Sequence, residues 1–188
     1  KELNERITRT VIVGGDPSAL QDTRQALVDE ISALVPVRQV PRDNGQIALY
    51  STGGAILLDG SAAEVEFTPV NQVTAYMSVG AGTLSGLTIN GISIDISSER
   101  GTLGGGSLGA QFEIRDELAV EAQEKLDAVA RDLIERFQDP AVDPTLVAGD
   151  PGLFIDEGVA FDPLNEQGIS SRLEINAAVD ERQGVEAL

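Results

Sequence analysis

The chain opens with apolar residues at helical spacing. Leu3, Ile7 and Val11 recur every four residues, which predicts a short helix. The run Gly14-Gly15-Asp16-Pro17 interrupts this pattern, and a second helix is predicted over residues 18–35. One face of the second helix is apolar and carries Leu20, Leu27, Ile31 and Leu34.

From residue 37 onwards, the pattern changes to short β-prone runs separated by glycine-containing turns. Asn44-Gly45 is a strong hairpin signal between two of these runs. Because the runs follow one another at short intervals, they are predicted to pair antiparallel in a β unit of about 60 residues. The predicted strands cover residues 37–40, 46–50, 55–58, 65–68, 73–79, 86–89 and 92–96.

A long helix is predicted over residues 108–137, because apolar residues there recur every three or four positions. With a rise of about 1.5 Å per residue it would extend roughly 45 Å. A helix of this length outreaches the β unit, so we expect its apolar stripe to pack on the first two helices. The opposite face is charged and includes Asp127. The stripe consists of Leu118, Ala122, Leu126, Val129, Leu133 and Phe137.

These elements predict an α+β fold, in which an antiparallel bundle of long helices carries an inserted antiparallel β domain. The helical rod domain is expected to be discontinuous and to comprise residues 1–35 and 105–150. Residues 36–104 would form the inserted β domain. Residues 151–188 would form an extended C-terminal segment that packs on the rod, since repeated Asp-Pro turns mark this part of the chain.

Charge and composition exclude several classes of function. The net charge is -18, so neither a nucleic acid nor an acidic membrane surface is an expected partner. The sequence has no Cys and no His, which removes disulfides, thiol catalysis, zinc clusters and a Ser-His-Asp triad. No apolar run is long enough to span a membrane. The chain starts at Lys1 without a visible signal peptide, so we expect an internal piece of a longer protein.

The stretch GGGSLGAQF at residues 104–112 matches two catalytic patterns. Gly104, Gly106 and Gly109 fit the dinucleotide-binding pattern G-x-G-x-x-G, and the stretch also fits G-x-S-x-G around Ser107. The first pattern needs a parallel βαβ unit, whereas the predicted strands are antiparallel. The second needs a base for Ser107, and the chain has no His. We therefore expect a glycine-rich joint between the β unit and the long helix, with Ser107 as the helix N-cap.

Paired carboxylates are the other candidates for chemistry. Glu64 and Glu66 alternate around Val65 and so share one strand face, and Asp156 and Glu157 are adjacent in a predicted loop. The second pair lacks the spaced oxygen ligands of a calcium loop. Acidic side chains are usually exposed, so we expect both pairs on the solvated surface. No catalytic, cofactor-binding or metal-binding residue is predicted.

Five stretches, taken in order, carry a family resemblance. They are LNERI at residues 3–7, DTRQALVDEI at 22–31, DNGQIALY at 43–50, GGSLG at 105–109 followed by Arg115-Asp116, and LEINAAV at 173–179. Together they resemble the flagellar hook-associated protein of the hook–filament junction, the FlgK family. Residues 55–99 match less well. Where the family tends to end the long helix in V-N-x-x-H, this chain has Glu135-Arg136-Phe137-Gln138.

The resemblance implies a structural, non-enzymatic subunit of the bacterial flagellum that joins the hook to the filament and so serves motility. It implies contacts with copies of itself in a ring, with the hook protein and with the second junction protein. It also implies an extracellular location, reached through the flagellar type III channel without a cleaved signal peptide.

The same resemblance implies that the terminal helices and the export-chaperone site lie in regions absent from this sequence. The piece itself is then expected to be monomeric or weakly associating. The alternatives left open are the hook protein, the second junction protein, a nucleotide-binding enzyme that uses Gly104–Gly109, and a surface adhesin that binds through residues 37–100.

Overall fold

In the computed structural model, which describes residues 1–94, 96 and 101–179, the chain begins with the two predicted helices. Helix α1 spans Glu2–Ile12 and helix α2 spans Ser18–Leu34. Asp16 starts α2, because its carboxylate accepts hydrogen bonds from the backbone N–H of Ser18 at 2.9 Å and from the Ser18 hydroxyl at 2.6 Å. This arrangement orders the turn before the helix.

Two small antiparallel sheets follow. The first has the strand order β1-β2-β3-β4 and the second has the order β5-β6-β7. The predicted hairpin is confirmed, since Asn44 and Gly45 both have positive φ, at 54° and 76°, and Val37 pairs with Ser51. The strands are β1 Val37–Pro41, β2 Ile47–Ser51, β3 Ile56–Asp59, β4 Ser61–Ala62, β5 Val65–Glu66, β6 Leu87–Ile89 and β7 Ile92–Ile94.

The third helical stretch starts two residues earlier than predicted and contains a wide turn. Helix α3 spans Gly106–Glu113, a π-helical turn spans Ile114–Leu118, and helix α4 spans Ala119–Gln138. Strands β8, Phe154–Asp156, and β9, Leu173–Ile175, then pair antiparallel. The α+β class is thereby confirmed. In the part of the chain that the structure describes, no helix combines the length and apolar character needed to cross a membrane.

Contacts divide the chain into two compact units. Unit 1 comprises Lys1–Gln72 and Ser78–Glu117, and unit 2 comprises Val73–Met77 and the chain from Leu118 onwards. The strand predicted over residues 73–79 does not form, because Val73–Met77 belongs to unit 2 and pairs with no strand of the two sheets in unit 1. Residues 95, 97–100 and 180–188 of the predicted domains lie outside the described residues.

The cores combine helices with sheets. In unit 1, Val28 of α2 packs against β2 and β3 through Ile47, Leu49 and Leu58. In unit 2, Ala130 and Ile134 of α4 pack against the C-terminal part of the chain. The second cluster of unit 1 consists of Val35, Ala55, Leu87, Ile89, Ile96, Leu103 and Phe112. The partners of α4 in unit 2 are Phe154, Phe161, Ile169 and Leu173.

The predicted helical bundle is not confirmed, and most of the residues predicted to seal it are exposed. In α4, Leu126 and Val129 are 57% and 60% exposed, whereas Ile134 is fully buried. The more apolar face of α4 was predicted to be buried. The opposite face is buried instead, because Asp127 on that face accepts hydrogen bonds from the C-terminal part of the chain. In α2, Val28 is buried on the sheet side. The remaining exposed members of the two predicted stripes are Leu27, Ile31, Leu34, Leu118 and Ala122.

Two alanine substitutions in α4 distinguish its buried face from its exposed apolar face. We expect Ile134→Ala to lower the free energy of unfolding of unit 2 by about 2–5 kcal/mol, because it leaves a cavity in the core. We expect Leu126→Ala to change it by no more than about 0.5 kcal/mol. Urea unfolding followed by circular dichroism measures both values. Equal losses, or a larger loss for Leu126→Ala, would contradict this assignment of faces.

Candidate functional site

The glycine-rich stretch starts α3 where the chain passes close to the end of α2. Gly105 is the N-cap of α3 with a φ of +81°, and Gly106 follows with a φ of +66°. A side chain on Gly106 would overlap the carbonyl oxygen of Leu34, and one on Gly105 would press on the ring of Pro36. Gly106 requires glycine because a Cβ would overlap backbone there, and the positive φ of Gly105 also favours glycine.

The chain makes a second close crossing just before this stretch. A Cβ on Gly53, in the turn between β2 and β3, would overlap the carbonyl oxygen of Gly101. The buried Ser51 stabilises the crossing, because its hydroxyl donates to the Thr102 carbonyl and accepts a hydrogen bond from the Ala55 N–H at 2.9 Å. Backbone therefore packs directly on backbone where the β2–β3 turn crosses the chain before α3.

Ser107 is not the N-cap of the helix, which corrects the prediction. It lies inside α3, and its hydroxyl donates to the Ala33 carbonyl at 3.1 Å. That carbonyl belongs to the last turn of α2, where carbonyl groups lack partners within the helix. Lys125, farther along the same helical stretch, pairs with Glu121 at 3.3 Å. The hydroxyl therefore serves packing, and this lysine is engaged elsewhere.

A buried polar network joins three of the stretches that carry the family resemblance. Asn4 of α1 is 5% exposed, and its side-chain amide donates to the Ile47 carbonyl at 2.7 Å. Its Oδ1 accepts a hydrogen bond from Nη1 of Arg24 in α2 at 2.9 Å. The same nitrogen donates to the Gly45 carbonyl at 2.7 Å. This Asn4–Arg24 network links α1, α2 and the β1–β2 hairpin.

Apolar contacts surround the Asn4–Arg24 network. A Cβ on Gly45 would lie 3.0 Å from a methyl group of Ile7, which is fully buried in α1. Burial lowers the pKa of Arg24 from its ordinary value. The sequence analysis quoted Asn4 only as part of a motif. The sequence signal for its burial was its position three residues before Ile7, which places both residues on the inward face of α1.

The Arg-Asp pair of the resemblance lies in the π-helical turn. Nε and Nη2 of Arg115 donate to the two carboxylate oxygens of Asp116 at 2.6 and 2.8 Å. Nη1 donates to the Ser85 carbonyl at 3.1 Å. The guanidinium also lies 4.7 Å from the centre of the Phe112 ring, within the range of a cation–π contact. Arg115 thus fixes the end of α3 against the β5–β6 connection of unit 1.

Tyr50, the last residue of the hairpin motif, belongs to an exposed polar cluster on the first sheet. Its hydroxyl donates to Asp59 at 2.7 Å, and Arg42 donates to both carboxylate oxygens of Asp59 at 3.1 and 2.7 Å. Hydrogen bonds from Arg42 and then from Tyr50 lower the pKa of Asp59 to about 2. The carboxylate is therefore ionised at neutral pH and links β1, β2 and β3 at their surface.

Asp156 was predicted to lie on the solvated surface, and that prediction is wrong. It is 2% exposed and forms a bidentate ion pair with Arg172, with Nε–Oδ1 and Nη2–Oδ2 distances of 2.6 and 3.0 Å. Its neighbour Glu157 is exposed, as predicted. Glu64 and Glu66 are also exposed. The partner of Asp156 is far away in sequence, so the pair could not be identified from spacing.

Asp127 is the second buried carboxylate of unit 2, although it belongs to the charged face of the predicted helix. It accepts hydrogen bonds from the N–H groups of Gly168 and Ser170 at 2.7 and 2.9 Å, and from the Gln123 amide at 2.8 Å. Burial alone would raise the pKa of Asp127, but these hydrogen bonds outweigh it and lower the pKa. All three donors satisfy the ionised form.

The buried polar groups are satisfied within the protein. No buried side-chain nitrogen or oxygen lacks a hydrogen-bond partner among the residues that the structure describes. In the same residues, no group of three or more acidic side chains is arranged to hold a metal ion. The residues that resemble catalytic or binding motifs contact neighbouring backbone and side chains.

These features define a chain of the α+β class, whose motif residues connect helices, hairpins and loop crossings. The chain belongs to the FlgK family, because the family model described as the flagellar hook-associated protein FlgK helical domain matches residues 1–151. This match confirms the resemblance predicted from the sequence, and four of the five stretches lie inside it. The stretch at residues 173–179 lies beyond it. No curated protein matches the chain.

Two glycine substitutions, one after α1 and one in the glycine-rich stretch, separate backbone strain from steric overlap. Gly14→Ala introduces a Cβ at a φ of +74° with no atom within 4 Å, and we expect a loss of roughly 1–2 kcal/mol in unfolding free energy. Gly106→Ala adds overlap with the Leu34 carbonyl, so we expect roughly 1–3 kcal/mol more. Chemical denaturation of both variants measures the difference. Equal losses would show that the Leu34 carbonyl does not require glycine there.

Proposed function

We propose that this protein is a junction subunit that connects the hook and the filament of the bacterial flagellum. The observation that carries the proposal is the family match over residues 1–151, which makes the chain a flagellar hook-associated protein. The contacts of the motif residues support a structural role. The Asn4–Arg24 network and the glycine crossings fix how the helices and strands of unit 1 pack on one another, which suits a connecting piece between two polymers.

We infer that residues 1–35 and 105–150 act as a helical rod domain in the assembled flagellum, with residues 36–104 as an inserted β domain. Helices α1 to α4 lie in the first two ranges, and strands β1 to β7 lie in the third. Residues 151–188 would pack on the rod. This division groups residues by secondary structure, helix or strand, whereas the two compact units are defined by contacts within the chain. The exposed apolar side chains of α2 and α4 are available for coiled-coil packing in the assembly.

The proposed partners are copies of the same protein in a ring, the hook protein and the second junction protein. The proposed location is extracellular, on the flagellum, after export through the flagellar type III channel without a cleaved signal peptide. An export chaperone would bind a region outside this sequence. Nucleic acids, membranes and cofactors are not among the proposed partners.

A gene deletion in the source bacterium tests the junction role. Loss of a junction subunit should leave hooks without filaments and release flagellin into the medium, because filament subunits would have no platform on which to polymerise. Electron microscopy and immunoblotting of the medium measure these two outcomes, and re-expression of the full-length gene is the control. Cells without hooks would point to the hook protein instead, and normal filaments would contradict the proposal.

Two further measurements address the remaining alternatives. Saturable micromolar binding of NAD or ATP in a calorimetric titration would favour the nucleotide-binding enzyme. Binding of residues 37–100 to a glycan or protein array would favour the adhesin. The close crossing of Gly106 and the Leu34 carbonyl gives a physical reason to expect no nucleotide binding at the glycine-rich stretch.

A further inference from the structure

The connection between β5 and β6 has an unusual course. Residues 67–86 form neither helix nor strand. A connection of this length without regular structure is uncommon in a compact domain unless it has a specific role. Its middle segment, Val73–Met77, belongs to unit 2, although the residues on both sides of it belong to unit 1.

Three hydrogen bonds attach this segment to residues near the C-terminal strand. The side-chain amide of Gln167 donates to the Ala75 carbonyl, and the Tyr76 hydroxyl donates to the Gln167 carbonyl at 2.8 Å. Arg172 donates through Nη1 to the Tyr76 hydroxyl. A Cβ on Gly168 would lie 3.0 Å from that hydroxyl, so glycine leaves room for the tyrosine ring.

Arg172 is positioned independently of the segment that it binds. Its side chain is 14% exposed and forms the bidentate pair with Asp156, whose side chain is 3% exposed. It also donates to the carbonyl groups of Asn165 and Gln167. A bidentate guanidinium–carboxylate pair is rigid, because both planar groups are fixed by two parallel hydrogen bonds. The nitrogen that binds Tyr76 is therefore presented in a fixed place.

We propose that Val73–Met77 is a strap, and that Arg172 and Gln167 form the buckle that fastens it to unit 2. With the strap fastened, the chain passes between the units at Gln72–Val73, Met77–Ser78 and Glu117–Leu118. With the strap released, only the last passage remains. A force that separates the units is then carried by three stretches of chain when the strap is fastened and by one stretch when it is released. This inference does not depend on the proposed junction role.

The first test measures whether the buckle holds the strap. The double variant Tyr76→Ala/Gln167→Ala removes all three hydrogen bonds of the strap and retains both residues of the buried Arg172–Asp156 pair. We expect backbone NMR order parameters at residues 73–77 to fall from about 0.85 to below about 0.6, with those of α1 and α2 unchanged. Unchanged order parameters at residues 73–77 would overturn the proposal. If the double variant does not fold, Tyr76→Phe is used in its place. It removes only the hydroxyl, and we expect it to lower the order parameters at residues 73–77 as well.

The second test measures whether the strap carries force. The chain has no Cys, so Glu30→Cys in α2 and Glu124→Cys in α4 provide unique attachment points on the two units. At constant force, we expect the double variant to open roughly tenfold faster than a chain that carries only the two cysteine substitutions. Arg136→Ala is the matched control, because it removes an exposed ion pair with Asp132 in α4 and should leave the rate unchanged. Equal opening rates of the double variant and the control would overturn the proposal.

Discussion

The structure of unit 1 depends on the need to satisfy one buried amide. Asn4 lies in the inward face of α1, where water cannot reach its side chain. A buried polar group without partners costs about 1–3 kcal/mol, so it must find both a donor and an acceptor. Arg24 supplies the donor and the Ile47 carbonyl supplies the acceptor. Because these partners come from α2 and β2, satisfying the amide ties the positions of α1, α2 and the hairpin to one another.

The glycine crossings place a second constraint on unit 1, which acts on the backbone. Where Gly53 meets Gly101 and Gly106 meets Leu34, main chain packs on main chain with no side chain between. Such approaches require glycine for the same steric reason as a loop that approaches a phosphate. This shared requirement accounts for Gly106, one of the three glycines that fit the dinucleotide pattern in this chain of the FlgK family. A glycine pattern reports a close approach and does not identify what is approached.

The sequence predicted features whose causes are local. The Asn44-Gly45 hairpin and the extent of the third helical stretch follow from turn chemistry and helical periodicity. The buried face of α4 could not be predicted in this way, because the residues that bury Asp127 are Gly168 and Ser170, about forty positions later. The pairing of Asp156 with Arg172 also joins residues that are separated in sequence, so local patterns could not predict it. The segment at residues 73–79 has β-prone residues, but Ala75 and Tyr76 bind residues of unit 2 in place of a neighbouring strand.

A double-mutant cycle on Asn4 and Arg24 tests the central claim most directly. The free energies of unfolding of Asn4→Ala, Arg24→Ala and the double variant are obtained from hydrogen exchange at the protected amides of α2, with the exposed Gln25–Asp29 pair as the control cycle. The network predicts a coupling energy above about 1 kcal/mol for Asn4 with Arg24, and less than about 0.5 kcal/mol for the control. Additive losses at Asn4 and Arg24 would contradict the claim that one buried network joins α1, α2 and the hairpin.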